Sequence, residues 1–243
     1  MVRTVKETMV RKNRIGPEGI LIVELVGPAG AGKTTLSQVL VQNSEKIIIG
    51  AEISLRNKEH LLVFLQNFHS VLPILMAGNG LGRSFTWDEI KAMIYLNGWS
   101  RVLKRQAARR NIIVLLDHGP IFKLATLDAF GPERRGSAAF KKWWNEMFKQ
   151  WAGLLDMVIW LDAPNLVLET RINHRDQRHL VKGKPEPEAR GFLEQYRKSY
   201  EQTLAKLTAN GGPTLFQFDT SQTSIEQIAE NVLVAFDMES NGI

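Results

Sequence analysis

Gly27-Pro28-Ala29-Gly30-Ala31-Gly32-Lys33-Thr34-Thr35 is a stretch of residue types and spacing that can do one kind of chemistry. It fits G-x-x-x-x-G-K-[ST], a loop that cradles phosphate. Glycines let the backbone adopt positive φ and keep side chains out of the concavity. Successive backbone N–H groups and the positive end of a following helix then hold phosphate oxygens. Lys33 can reach the β- and γ-phosphates, and the Thr34 hydroxyl can ligate Mg²⁺. The context agrees. Ile20–Val26 is an apolar run of strand length, and Thr34–Val41 reads as the start of a helix. The chain is therefore expected to bind a nucleoside triphosphate, with ATP and Mg²⁺ as the implied pair.

Four further places could carry the chemistry that follows binding. Asp117 ends the apolar run Ile112–Leu116, where a carboxylate can hold Mg²⁺ beside Thr34; its alternative is a helix cap. His118-Gly119-Pro120 then makes a rigid turn, and His118 reads equally as a substrate contact or as filler. Arg171 and Arg175 are spaced i, i+4, and Arg178 continues the stripe. Guanidinium groups there would neutralise charge on a transferring phosphoryl group. The polar residues from His179 to Arg190 suit a lid, so the lid is expected at about 171–190. Glu52 follows the second strand, where it could take a proton from a hydroxyl acceptor or lie at the surface.

The elements that must position these residues follow from the pattern. Ile20–Val26, Lys46–Ala51, Asn111–Asp117, Met157–Asp162 and Thr214–Asp219 read as five nearly continuous apolar strands, as expected when both sheet faces are covered. Helical stretches between them imply βαβ units, a parallel sheet and a ligand crevice at the strand C-termini. Asn57–Met76 is apolar round much of its circumference and is expected to be well buried. Gly78–Gly82 breaks the helical pattern, and Thr86-Trp87-Asp88-Glu89 fits a capping box opening a helix over Thr86–Arg109. Phe140, Trp143, Trp144, Met147, Phe148 and Trp151 form a stripe that reads as core, with a homodimer surface expected only from tryptophans left exposed.

Composition sets the outer limits. The chain has 243 residues, 44% hydrophobic, enough for one sizeable core. It contains no cysteine, which excludes disulfides and thiolate metal sites. No apolar run approaches the ~20 residues that span a bilayer, and the N-terminus lacks a leader's apolar region, so a cytoplasmic protein without membrane contact is expected. The net charge of +6 is partly local, because Met1–Arg14 holds five basic residues against one acid. Residues 1–18 read as a basic arm and 19–243 as a single domain. A solvated arm is the simpler reading, contact with nucleic acid the other.

With these motifs in order, the chain resembles the P-loop small-molecule kinases, especially the thymidylate kinase and deoxynucleoside kinase group. The similarity runs from about Ile20 to the C-terminus. Val158-Ile159-Trp160-Leu161-Asp162-Ala163-Pro164 looks like the family's fourth strand leading to its lid helix, and Phe192–Tyr196 like the helix after the lid. The resemblance implies a three-layer α/β P-loop NTPase fold with a five-stranded parallel sheet and a helical lid. It implies Arg171 and Arg175 as lid arginines, Asp117 as the acidic residue of the family's Asp-Arg or Glu-Arg pair, and Glu52 as the general base. The Arg expected after that acidic residue is His118 here, which points to a different acceptor pocket. The leading expectation is an ATP-dependent kinase acting on a small nucleoside- or nucleotide-like acceptor. An ATPase switch without a small acceptor and a kinase of nucleic-acid ends are the alternatives.

Overall fold

A computed structural model describes residues 21–50, 58–76, 83–106, 112–132, 136–176 and 179–240. The elements run β1 (Leu21–Val26), α1 (Lys33–Asn43), β2 (Ile47–Ile49), α2 (Lys58–Met76), α3 (Trp87–Gln106), β3 (Ile113–Asp117), α4 (Pro120–Phe130), α5 (Ala138–Ala152), β4 (Met157–Asp162), α6 (Asn165–Asn173), α7 (Glu186–Ala209), β5 (Thr214–Asp219) and α8 (Ile225–Ser240). The five strands form one sheet in the order β2-β3-β1-β4-β5, and every pair is parallel. This is the three-layer architecture the sequence pattern implies. The basic arm, Glu52, Gly78–Gly82 and Arg178 lie outside the described residues.

Alternation along the strands divides the core in two. Ile22, Val26, Val114, Leu116, Val158 and Trp160 face a layer built mainly from α2, α3, α4, α5 and α7. Leu21, Val23, Leu25, Ile113, Leu115, Ile159 and Leu161 face α1, α6 and α8. Successive strand side chains point to opposite faces, so an apolar run of both parities builds both layers at once. The α5 stripe is core as expected: Phe140, Trp143, Met147, Phe148 and Trp151 are buried. Of the six tryptophans, five sit in or against the first layer and the sixth, Trp87, packs on its Phe64. The α3 capping box is present in both directions, Thr86 N–H donating to Glu89 Oε2 at 2.7 Å and Glu89 N–H to Thr86 Oγ1 at 3.3 Å.

The expectation for α2 is corrected. The helix buries Phe64, Val71 and Ile74, while Leu61, Leu62, Leu65, Leu72 and Met76 are exposed. It lies in an outer layer and meets α3 and α5 along one side. Apolarity all round the helix therefore does not translate into burial all round it.

The strand end Asp162 is used structurally. Arg197 on α7 donates from Nε to Asp162 Oδ2 at 2.7 Å and from Nη2 to Oδ1 at 3.0 Å. It also reaches Asn165 Oδ1 and the Ala163 carbonyl. A forked, partly buried pair of this kind locks α7 to the β4–α6 junction. Replacing Arg197 by Met should destabilise the fold by about 2–4 kcal/mol, by leaving Asp162 without its partner. Urea unfolding, followed by far-ultraviolet circular dichroism, measures this.

Candidate active site

The loop between β1 and α1 is shaped by close approach. Gly27 has φ 140°, and a Cβ there would lie 1.9 Å from the Leu161 carbonyl oxygen of β4. Gly30 and Gly32 also have positive φ, 84° and 93°. Gly32 caps α1 without any side-chain hydrogen bond, so the first amides of the helix face the loop concavity rather than a capping side chain. Lys33 bends back over the loop, and its Nζ donates to the carbonyls of Gly27 at 2.8 Å and Pro28 at 3.0 Å. Burial pushes its ammonium down to about 8; the nearby Asp117 charge opposes this and Arg175 adds to it.

Parallel pairing of β1 with β3 brings the next group in. Leu25 is level with Asp117, so the carboxylate emerges beside the start of the loop. Thr34 Oγ1 donates to Asp117 Oδ2 at 3.4 Å, across 83 residues of sequence. Asp117 Oδ1 is buried with no hydrogen-bond partner among the described residues, and His118 Nδ1 stands 3.9 Å from it. Thr34 and Asp117 are thus brought together, with Lys33 near enough to feel the Asp117 charge.

The turn after Asp117 depends on a residue that the sequence reading passed over. Glu24 lies in the middle of β1 and is completely buried. Its Oε2 accepts the Ile121 N–H at 2.9 Å and its Oε1 the Phe122 N–H at 3.0 Å, satisfying two amides in the first turn of α4. A Cβ on Gly119 would meet the Glu24 carboxyl carbon at 2.7 Å, so any side chain there would displace the carboxyl. His118 is the one non-glycine residue with positive φ (59°) among those described. Burial pushes the Glu24 carboxyl up to about 8, against the two amides and Lys123, which favour its charged form. An acid in the middle of an otherwise apolar strand was the available signal.

The arginine stripe is corrected in part. Helix α6 ends at Asn173, capped by His174, and the Arg175 N–H bonds the Ile172 carbonyl in a tight last turn. Arg175 therefore lies beyond the helix, and no shared helical face joins it to Arg171. The His174 N–H and ring both bond the Thr170 carbonyl, and no apolar periodicity follows to sustain the helix. Arg171 donates to the Gly30 carbonyl at 3.3 Å and to Thr220 Oγ1 and the Thr220 carbonyl at 2.8 and 2.9 Å. It joins the phosphate loop, α6 and the β5–α8 loop. In the turn 179–185, within the expected lid, Val181 is buried and His179 lies edge-on to Phe192.

A cavity of about 780 Å³ opens on the other side of Asp117. Trp87, Tyr95, Asp117, His118, Phe122 and Lys123 are among the residues that line it. The His118 ring packs edge-on to Phe122 at 4.4 Å. Lys123 Nζ sits 4.3 Å above the Tyr95 ring and donates to the His118 carbonyl at 2.5 Å. The chamber is the right size and character for a small planar molecule.

No family model matches the chain, and no curated protein matches it in sequence. Solved structures do. Deoxyadenosine kinase from M. mycoides with bound dATP is similar at a TM-score of 0.52 and 19% identity, covering 89% of this chain and 100% of that one. The same enzyme with products dCMP and a flexible dCDP gives 0.51 and 14%, over 89% and 99%. The fold is that of the deoxynucleoside kinases. This likeness to the P-loop nucleoside kinases agrees with the resemblance carried by the motifs. Among the described residues no helix is long and apolar enough to cross a membrane.

Glu24 makes stability depend on pH in a defined direction. Below its ordinary value of 4.5 the carboxyl is protonated folded and unfolded; between 4.5 and about 8 only the folded state keeps the proton. Unfolding then releases a proton, so this group's contribution to stability falls across that window and levels off above it. The difference in unfolding free energy between wild type and Glu24→Gln should decline as pH rises from 5 to 8, as urea titrations at fixed ionic strength will measure.

Proposed function

We propose that this protein is an ATP- and Mg²⁺-dependent phosphotransferase that transfers the γ-phosphoryl group to a small nucleoside- or nucleotide-like acceptor. One observation carries the reading: Thr34 and Asp117 meet at 3.4 Å, beside Lys33, at the boundary between the phosphate loop and the 780 Å³ cavity. Backbone N–H groups of the Gly27–Thr35 loop, other than Pro28, and the uncapped start of α1 hold the triphosphate. Lys33 exchanges its two backbone carbonyls for phosphate oxygens. Arg171 fixes the loop edge against Thr220. Arg175 and Arg178 serve the lid and neutralise charge on the transferring group. The acceptor occupies the cavity, and Glu52 takes its proton if the acceptor atom is a hydroxyl. A cytoplasmic setting goes with this chemistry.

The donor set fits the metal. Mg²⁺ prefers a few hard protein oxygens, with phosphates and water completing the shell. Thr34 Oγ1 and the buried, unpartnered Asp117 Oδ1 are such oxygens. When bound there, the ion would supply charge neutralisation between the β- and γ-phosphates.

Two measurements test the reading. The purified protein should convert ATP to ADP with one acceptor class from a panel of nucleosides, nucleoside monophosphates and other phosphorylatable metabolites. Replacing Lys33 by Ala should lower that rate by about 100-fold or more, the scale of losing a transition-state charge contact. Turnover that no acceptor increases, but a protein partner does, would sink the kinase reading in favour of a switch ATPase. Glu52→Gln should lower activity by about 100-fold or more if the acceptor atom is a hydroxyl, and only slightly if it is already an anionic phosphate. Separately, phosphate oxygens beside Lys33 favour its charged form. Binding of a non-hydrolysable ATP analogue near pH 8 should therefore take up protons, read by calorimetry in buffers of different ionisation enthalpy.

A further inference from the structure

Glu24 is a buried carboxyl that the proposed chemistry does not use. It lies on β1, remote in sequence from the turn it touches, with no face open to solvent. A core position on that side of the sheet is otherwise filled by apolar side chains such as Ile22 and Val26. Placing a carboxyl there carries a large desolvation cost. Three contacts converge on it: the Ile121 and Phe122 amides, one to each oxygen, and the backbone of Gly119. All three belong to the segment that follows Asp117 directly. Between them His118 is held at φ 59°, a conformation that a residue with a Cβ adopts only when its surroundings impose it.

We propose that Glu24 is a positioning residue for the phosphoryl-transfer site: by gripping the start of α4 it fixes the His118–Gly119 turn and so directs Asp117 at Thr34. It touches neither nucleotide nor metal. Its effect passes through the backbone, as outer-shell partners set the direction of metal-binding carboxylates. Apolar packing alone would leave the first-turn amides of α4 unsatisfied, and the turn would be free to relax toward negative φ at His118. The inference rests on the reading of Thr34 and Asp117 as the Mg²⁺-facing pair.

The test compares binding of the β,γ-imido analogue of ATP with and without Mg²⁺, by calorimetry, in wild type, Glu24→Leu, Glu24→Gln, Asp117→Asn and Val23→Ala. Val23 is a buried neighbour on the same strand that faces the opposite layer. Without metal, Glu24→Leu should bind the analogue within about twofold of wild type, because the loop amides are untouched. Its gain in affinity from Mg²⁺ should shrink by about tenfold or more, the range of outer-shell substitutions, and match that of Asp117→Asn. Glu24→Gln keeps the shape and one acceptor and should keep part of the gain. Val23→Ala should be less stable yet retain all of it. Amide exchange at Ile121 and Phe122 should quicken in Glu24→Leu. A Mg²⁺ gain abolished by Asp117→Asn but intact in Glu24→Leu overturns the proposal while leaving the kinase reading standing. Unchanged exchange at the two amides also overturns it. If Glu24→Leu does not fold, a full gain in Glu24→Gln has the same force. No Mg²⁺ gain in wild type sinks the metal reading itself, and this proposal with it.

Discussion

Parallel pairing of β1 with β3 is the constraint on which the site depends. It sets Leu25 level with Asp117 and so brings a carboxylate to the same edge, and nearly the same height, as the phosphate loop. A slip of one residue would turn Asp117 to the other face of the sheet. Pairing of β1 with β4 supplies the complementary limit, because the chain leaving β1 passes against the Leu161 carbonyl with no room for a side chain at Gly27. The loop and the placement of the Asp117 carboxylate beside it are thus consequences of where three strands end.

Charge inside this arrangement is arranged in layers of decreasing exposure. Asp117 is partly accessible, Lys33 is folded over its own loop, and Glu24 is sealed beneath the turn. Lys33 and Glu24 are shifted toward neutrality by the same cause, removal from water, with opposite signs for acid and base. Arg197 and Asp162 show the other solution, in which two charges neutralise each other at a structural joint.

The parts of this architecture that depend on short-range rules were legible in the sequence. The phosphate loop is one continuous segment, and Asp117 ends an apolar strand, so both could be found without knowing the fold. The five strands, their parallel sheet and its two covered faces followed from unbroken apolar runs, whereas the order β2-β3-β1-β4-β5 did not. What escaped depended on partners distant in sequence. The apolar circumference of α2 suggested burial, but only its neighbours decide how many sides are covered. Arg171 and Arg175 are a local exception: their spacing is helical, yet the helix stops at Asn173. Glu24 looked like one polar letter in a strand, and its meaning lies 97 residues away at the start of α4. Arg197, in a polar helix, gave no hint of its grip on Asp162. The assignment of Glu52, on which the choice between hydroxyl and phosphate acceptors turns, lies outside the described residues.

All the indole rings of this chain stand on one side of the sheet. Trp99, Trp143, Trp144, Trp151 and Trp160 belong to the layer facing α2–α5, and Trp87 borders the cavity on that same side. The layer of α1, α6 and α8, which carries the phosphate-loop helix, has none. Intrinsic fluorescence therefore reports on half of the molecule. It follows the α2–α5 side of the core as it melts, and at Trp87 it follows the lining of the cavity. The α1, α6 and α8 layer is optically silent, so loosening there would pass unseen unless a second probe were placed on α1 or α8.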